Sequence, residues 1–109
     1  MAQQAKAYET VNYIAKNGSL VFQLAYADGY IAASQIKVKN GRGVIQIFIP
    51  ESGTTEQNGN FILRPRDIVD KREIVLFKIS EESAAPKVIR GACRARGILL
   101  NLIFNRAGK

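Results

Sequence analysis

The chain has 109 residues, 47% of them apolar and 23% charged, enough for one domain with its own core. One cysteine and no histidine exclude an internal disulfide, the usual Cys/His zinc sites and any Ser-His-Asp or Cys-His nucleophile system. Sixteen basic against nine acidic side chains give a net charge of +7, a one-signed field that attracts polyanions, of which nucleic acid is the commonest for a small basic domain.

Residues 1–7, Met-Ala-Gln-Gln-Ala-Lys-Ala, lack the apolar stretch of a secretion signal and are expected to be a disordered N-terminus. No apolar run approaches the roughly 18 residues of a membrane span. The expectation is a soluble cytoplasmic protein with no membrane partner, no metal and no cofactor.

From residue 8 onward, turn signals recur at short intervals. Asn17-Gly18, Asp28-Gly29 and Asn40-Gly41-Arg42-Gly43 each separate runs rich in Val, Ile, Tyr and Phe, the strongest short-range hairpin pattern. Strands are predicted at 8–16, 19–27, 30–39 and 43–49, joined as a meander. A two-residue loop at Asn17-Gly18 sets Ala15 opposite Leu20, Tyr13 opposite Phe22 and Val11 opposite Leu24, an apolar face. A three-residue Ala27-Asp28-Gly29 loop, with Leu24 facing Ala32 and Leu20 facing Ile36, continues that face; a two-residue Asp28-Gly29 loop would break it. A two-residue loop at Gly41-Arg42 sets Val38 opposite Ile45 and Ile36 opposite Ile47. Lys37 then pairs with Gln46 and Gln35 with Phe48 on the outer face.

Pro50 stops the fourth strand, and the polar, Gly-containing 50–60 stretch reads as a mobile loop or hairpin tip. Phe61–Arg64 is a short strand. Pro65–Lys71 is a turn or a single helical turn. Arg72–Ser80, apolar on both faces, is a covered strand, and 80–86 is a linker.

Beyond Glu82 the chain carries six basic side chains and no acid. There Val88, Ala92, Ala95, Leu99 and Leu102 recur at spacings of four and three, the period of one helical stripe. Pro86 suits a helix start, and a helix is predicted over 87–106. Two features weigh against it: Gly91 and Gly97 each cost about 1 kcal/mol in a helix interior, and Ile98–Asn105 also alternates as a strand. The expected fold is therefore mainly β (α+β): an antiparallel meander of four to six strands with a C-terminal amphipathic helix packed on the sheet. A curled meander followed by a helix resembles, in architecture alone, the Whirly-type and transcriptional-coactivator single-strand binders.

The candidate site follows from charge and interleaving. Lys37 and Lys39 lie on the outer face beside Phe48, with Arg42 at the adjoining turn and Thr10, Asn12 and Ile14 continuing the face. Cations for phosphates and a ring for an unstacked base suit single-stranded nucleic acid. Tyr8 or Tyr30 could add a ring near the sheet edge. Arg64 and Arg66 lie in a stretch that is either a phosphate clamp or a solvated run balanced by Asp67 and Asp70. Arg90, Arg94 and Arg96 allow three readings: a grip on successive phosphates, contact with an anionic membrane surface as in basic amphipathic helices, or a face simply presented to water. Cys93 is either a thiol activated by neighbouring arginines or a small core filler. The carboxylates Asp28, Asp67, Asp70 and Glu73 do not form a common metal-nuclease spacing, and no phosphate-loop pattern is present.

These residues point to non-enzymatic binding of single-stranded DNA or RNA with low sequence specificity. The alternatives are a structural or assembly subunit of a homo-oligomer, of phage or plasmid type, and a small inhibitor or adaptor on an acidic protein surface. A homo-oligomer fits the apolar content on more than one face.

Overall fold

The computed structural model describes residues 8–67, 72–80 and 84–107. The expected disorder of residues 1–7, and parts of the 65–71 turn and the 80–86 linker, lie outside these residues. Eight strands run in chain order: β1 (Glu9–Asn17), β2 (Leu20–Asp28), β3 (Gln35–Lys39), β4 (Ile45–Pro50), β5 (Phe61–Pro65), β6 (Glu73–Leu76), β7 (Val88–Ala95) and β8 (Ile98–Arg106). Each pairs antiparallel with the next, and β8 returns to β1, closing a barrel. The expected open meander with a C-terminal helix is thus overturned. Among the described residues the only helical element is a short 3₁₀ turn at Ile31–Ala33, and no helix is long and apolar enough to cross a membrane.

The tail forms a hairpin because its apolar residues serve two strand faces. Ile89, Cys93, Leu102 and Phe104 turn inward and are buried, while Leu99 and Ile103 turn outward. Ala95 pairs with Ile98 across the two-residue turn Arg96-Gly97. Both turn residues have positive φ, 53° and 79°, the combination a tight hairpin of the strands' own twist requires.

Closure at β1–β8 is short. Tyr13 pairs with Arg106 and Ile14 with Asn105, and the Ala107 N–H donates to the Asn12 carbonyl at 2.8 Å. The barrel is filled rather than hollow through its middle. Tyr13, Phe22, Leu24, Tyr26, Ile36, Phe61, Leu63, Ile74, Leu76, Leu102 and Phe104 all have at most 2% exposure. Eight strands leave an interior just wide enough for such side chains, and each one buried contributes about 1.5–3 kcal/mol. Edge-to-face ring pairs, Tyr13–Tyr26 and Phe22–Phe104, order the packing.

The registers differ from expectation in an instructive way. In β1–β2, Ala15 faces Phe22 and Tyr13 faces Leu24. In β2–β3, Leu24 faces Ile36 and Phe22 faces Val38. Both are shifted from the predicted partners by an even number of residues, so the same side chains share the inner face. In β3–β4 the shift is odd: Ile36 faces Phe48 and Val38 faces Gln46. The loop there is Gly41-Arg42-Gly43, closed by the bond from the Asn40 N–H to the Val44 carbonyl at 3.1 Å, with Gly43 left-handed at φ 83°. One added loop residue turns every side chain of β4 over. Phe48 and Gln46 point inward, and Ile45, Ile47 and Ile49 point outward.

Candidate functional site

The up-and-down course of the strands gathers one set of strand ends at one rim, here the near rim, with the described connections Asn17–Leu20, Asn40–Val44 and Arg96-Gly97 and, from the link between β5 and β6, Arg66, Asp67 and Arg72. Lys16, Lys39, Arg42, Arg66, Arg72 and Arg96 lie at this rim, with Asp67 and, at the start of β6, Glu73 as its described carboxylates. The opposite rim is mixed in sign, holding Lys78, Lys87 and Arg106 together with Glu9, Asp28, Glu51 and Glu56.

Below the near rim the outward positions of β1 to β4 form a regular lattice. The pairings set out three rows: Lys16, Val21, Lys39 and Ile45; then Ile14, Gln23, Lys37 and Ile47; then Asn12, Ala25 and Gln35. No position in these rows is acidic. Lys37 and Lys39, two residues apart on one strand, are about 7 Å apart at the backbone; Lys16 and Lys39, two strands apart, are about 10 Å apart. Among the described residues, none of these three lysines, nor Arg42, makes an ion pair. An open basin of about 250 Å³ sinks over the small Ala25 and is lined by Asn12, Ile14, Gln23, Gln35 and Lys37. At the far end of this wall the rings of Tyr8 and Tyr30 pack 5.9 Å apart, with Tyr30 54% exposed.

The opposite wall is neutralised. Outward positions of β5, β6 and β7 bring Arg64, Glu73 and Arg94 side by side. Glu73 accepts from Arg64 at 3.0 Å and from Arg94 at 3.2 Å, and Arg64 also reaches Glu51 at 3.2 Å. Glu73 is only 12% exposed at its side chain, so this carboxylate is held by its two arginines rather than by water. Arg66 is engaged by its neighbour Asp67 at 3.1 Å, a bond that holds its guanidinium more firmly protonated.

The nine candidate residues therefore separate. Lys37, Lys39 and Arg42 stay together on one wall and its rim, with Arg96 at another connection of the same rim. Arg90 is exposed on β7, four strands away around the barrel. Arg64, Arg66 and Arg94 are paired with carboxylates. Phe48 is 2% exposed and belongs to the core, so its ring offers no stacking surface. Cys93 is buried, and that burial pushes its thiol pKa up, outweighing the opposing pull of Arg72; the activated-thiol alternative is thereby corrected. Lys16 and Gln23 join the wall unanticipated. Lys16 was findable, since it shares strand parity with Thr10, Asn12 and Ile14. Among the described residues no three His, Cys, Asp or Glu side chains converge to hold a metal ion. No protein-family model, curated protein or solved structure matches this chain.

Proposed function

We propose that the protein binds single-stranded DNA or RNA, without catalysis and with little base specificity, across the outer wall of β1–β3. The observation that carries this reading is the carboxylate-free lattice holding Lys16, Lys37 and Lys39. Unpaired cations at spacings of about 7–10 Å present a path for a phosphate backbone, and backbone contacts supply most of the affinity in sequence-tolerant binding. Asn12, Gln23 and Gln35 offer both donors and acceptors to base edges. The exposed Tyr30 ring at the far end is the stacking group that Phe48 cannot be. Arg42 and Arg96 extend the positive field at the near rim.

The test is fluorescence anisotropy with a labelled 15-mer, single-stranded and duplex, at several salt concentrations. Tighter binding of the single strand is expected, weakening as salt rises. Lys37→Gln with Lys39→Gln should lower the slope of log affinity against log salt by about 1.4, roughly 0.7 for each lost phosphate contact. Arg90→Gln, across the barrel, should leave it unchanged. Absence of binding at low salt, or equal loss from both changes, overturns the reading.

A second reading has one specific observation behind it. The outward row of β4 is aliphatic and open, with Ile45 52% exposed, and Leu99 on β8 is 55% exposed. Such strips suit contact between copies. Sedimentation without oligonucleotide tests it, and a monomer at high concentration sinks it.

A further inference from the structure

The two hairpins that meet at the barrel's seam are out of step. In the register Tyr13–Arg106 and Ile14–Asn105, Asn17, the last residue of β1, stands opposite Leu102. β8 begins at Ile98, so residues 98–101 run on past the end of β1. Ile14–Asn105 is also the last pair of that ladder in the direction of the near rim. Beyond it a side chain takes the place of the ladder: Asn17 Nδ2 donates to the Asn101 carbonyl at 3.4 Å, long for an N–H···O bond.

Backbone direction fixes which groups this leaves open. Alternate residues of a strand turn their N–H and C=O to opposite neighbours. The Arg106 N–H donates to the Lys87 carbonyl on the β7 side at 3.1 Å, and the Ala107 N–H donates to Asn12 of β1 at 2.8 Å. The odd-numbered residues of β8 therefore face β1. Among the described residues, Leu99, Asn101 and Ile103 present an edge of about 14 Å to which no strand is paired. Their outward side chains are aliphatic at both ends, with Leu99 55% and Ile103 49% exposed. Strand edges are usually blunted by lysine, proline or a bulge. This one carries neither lysine nor proline, and its register with β7 is unbroken. An edge left in that state is a template for another strand.

The surroundings select the kind of strand. An open cleft of about 620 Å³ lies along the seam, lined by Ile14, Lys16, Asn101, Ile103, Asn105 and Arg106, two cations and no carboxylate. Arg90 pairs with Ile103 across β7–β8, and Arg96 forms the turn. Among the described residues, none of Lys16, Arg90, Arg96 and Arg106 makes an ion pair. Glu73, the carboxylate in the outward row of Leu99, is held by Arg64 and Arg94. We propose that the free edge of β8 binds an extended acidic segment of another protein, which adds a strand beside Leu99, Asn101 and Ile103. Main-chain bonds to those three residues hold it. Carboxylates on alternate residues project from the outer face and meet Lys16, Arg90 and Arg106. A second copy of this chain brings the same cations to the same edge and is opposed by charge. A phosphate backbone meets the cations but has no N–H and C=O alternation to match the edge. The inference does not rest on the nucleic-acid reading, whose wall shares only Ile14 and Lys16 with this cleft.

The probe is a fluorescent peptide of repeated Val-Glu at pH 7. Saturable binding is expected, with hydrogen exchange at the Leu99, Asn101 and Ile103 amides slowed at least tenfold. N-methylated at its glutamates, the peptide keeps its charge but loses the donors that face β8, and should bind at least tenfold more weakly. A Val-Lys repeat should not bind. Arg90→Glu with Arg106→Glu should weaken binding at least tenfold. Asn101→Pro removes an N–H from the open edge and leaves the β7 side of the strand its donors; it should abolish protection at Leu99 and Ile103. The N-methyl comparison uses the unmodified protein, so it decides whether or not the proline variant folds. Equal binding of the methylated peptide overturns the proposal. So does edge protection by a single-stranded 15-mer but not by the peptide, or by self-association without any peptide.

Discussion

Replacing Gly91 with alanine separates a barrel from a sheet with a terminal helix by the sign of its effect. Gly91 lies on β7 between Leu76 of β6 and Leu102 of β8. A methyl group built on its Cα would stand 2.6 Å from the Val75 carbonyl oxygen and 3.2 Å from Leu76 Cδ2. Ordinary carbon–oxygen approaches between strands are about 3.3–3.6 Å, so the pair must open by roughly 0.7 Å. The obstructing atom is backbone, in a strand whose four residues are all buried, and it cannot swing aside as a side chain would. Overpacking of this kind costs about 1–3 kcal/mol. In a helix spanning 87–106 the same substitution would instead stabilise by about 1 kcal/mol. At about 4 °C for each kcal/mol in a domain of this size, the barrel predicts a Tm lower by roughly 4–12 °C. Urea unfolding followed by circular dichroism should show a lower midpoint with unchanged slope. A variant as stable as its parent, or more so, refutes the close β6–β7 approach.

Two further outcomes follow from buried groups. Phe48→Leu should lower stability by under about 1.5 kcal/mol and leave oligonucleotide affinity untouched in the anisotropy titration; a stacking ring would lose about 1–3 kcal/mol of binding. Burial raises the pKa of Cys93 above its usual 9.0 and that of Tyr13 above 10.0. In both cases the unfolded chain releases its proton first as pH rises, so folding stability should be intact at neutral pH and decline above about pH 9, more steeply beyond 10. Tyr13→Phe should remove the later part of that decline. It should also cost about 1 kcal/mol at neutral pH, because the Tyr13 hydroxyl donates to the Pro86 carbonyl. Urea midpoints between pH 7 and 11 measure both effects.

Strand parity was readable in β1 to β3 because one face is uniformly apolar. Even where the loop position was displaced, as at Gly18-Ser19, Tyr13, Ala15, Phe22 and Leu24 stayed together inside. The tail was misread for a physical reason. Ile98, Leu99, Leu100, Leu102, Ile103 and Phe104 are apolar on both sides of a strand, so a stripe at spacings of three and four can be drawn through them as easily as an alternation. The turn between the last two strands carries Arg96 where Asn or Asp would normally announce positive φ. Gly91 was the available clue: a glycine with no turn to make often marks a close backbone approach.

The informative failure is β4. Pattern alone places Ile45 and Ile47 inside and Gln46 and Phe48 outside, because burying isoleucine is favourable. The chain does the reverse, through the three residues Gly41-Arg42-Gly43. Leaving an aliphatic row in water forfeits burial, and turning an amide into an apolar interior is unfavourable unless it is hydrogen-bonded. The second penalty is met at once, since Gln46 receives the Arg72 guanidinium at 2.6 Å. The first is relieved only in part: Ile47 is half-buried, while Ile45 stays 52% exposed. Departures from local rules concentrate at sites of function, and this one has two sides. Inside, it sets the Gln46 amide against the Arg72 guanidinium. Outside, it sets Ile45 and Ile47 directly beside Lys39 and Lys37, so that a partner on the lysine wall would also cover the isoleucines. A ligand that neutralises the lysines without touching the aliphatic row would leave that exposure unexplained. Protection of Ile45 and Ile47 methyl resonances on adding oligonucleotide is therefore the observation that would tie the inverted strand to the binding wall, and its absence would assign the row to contact between copies.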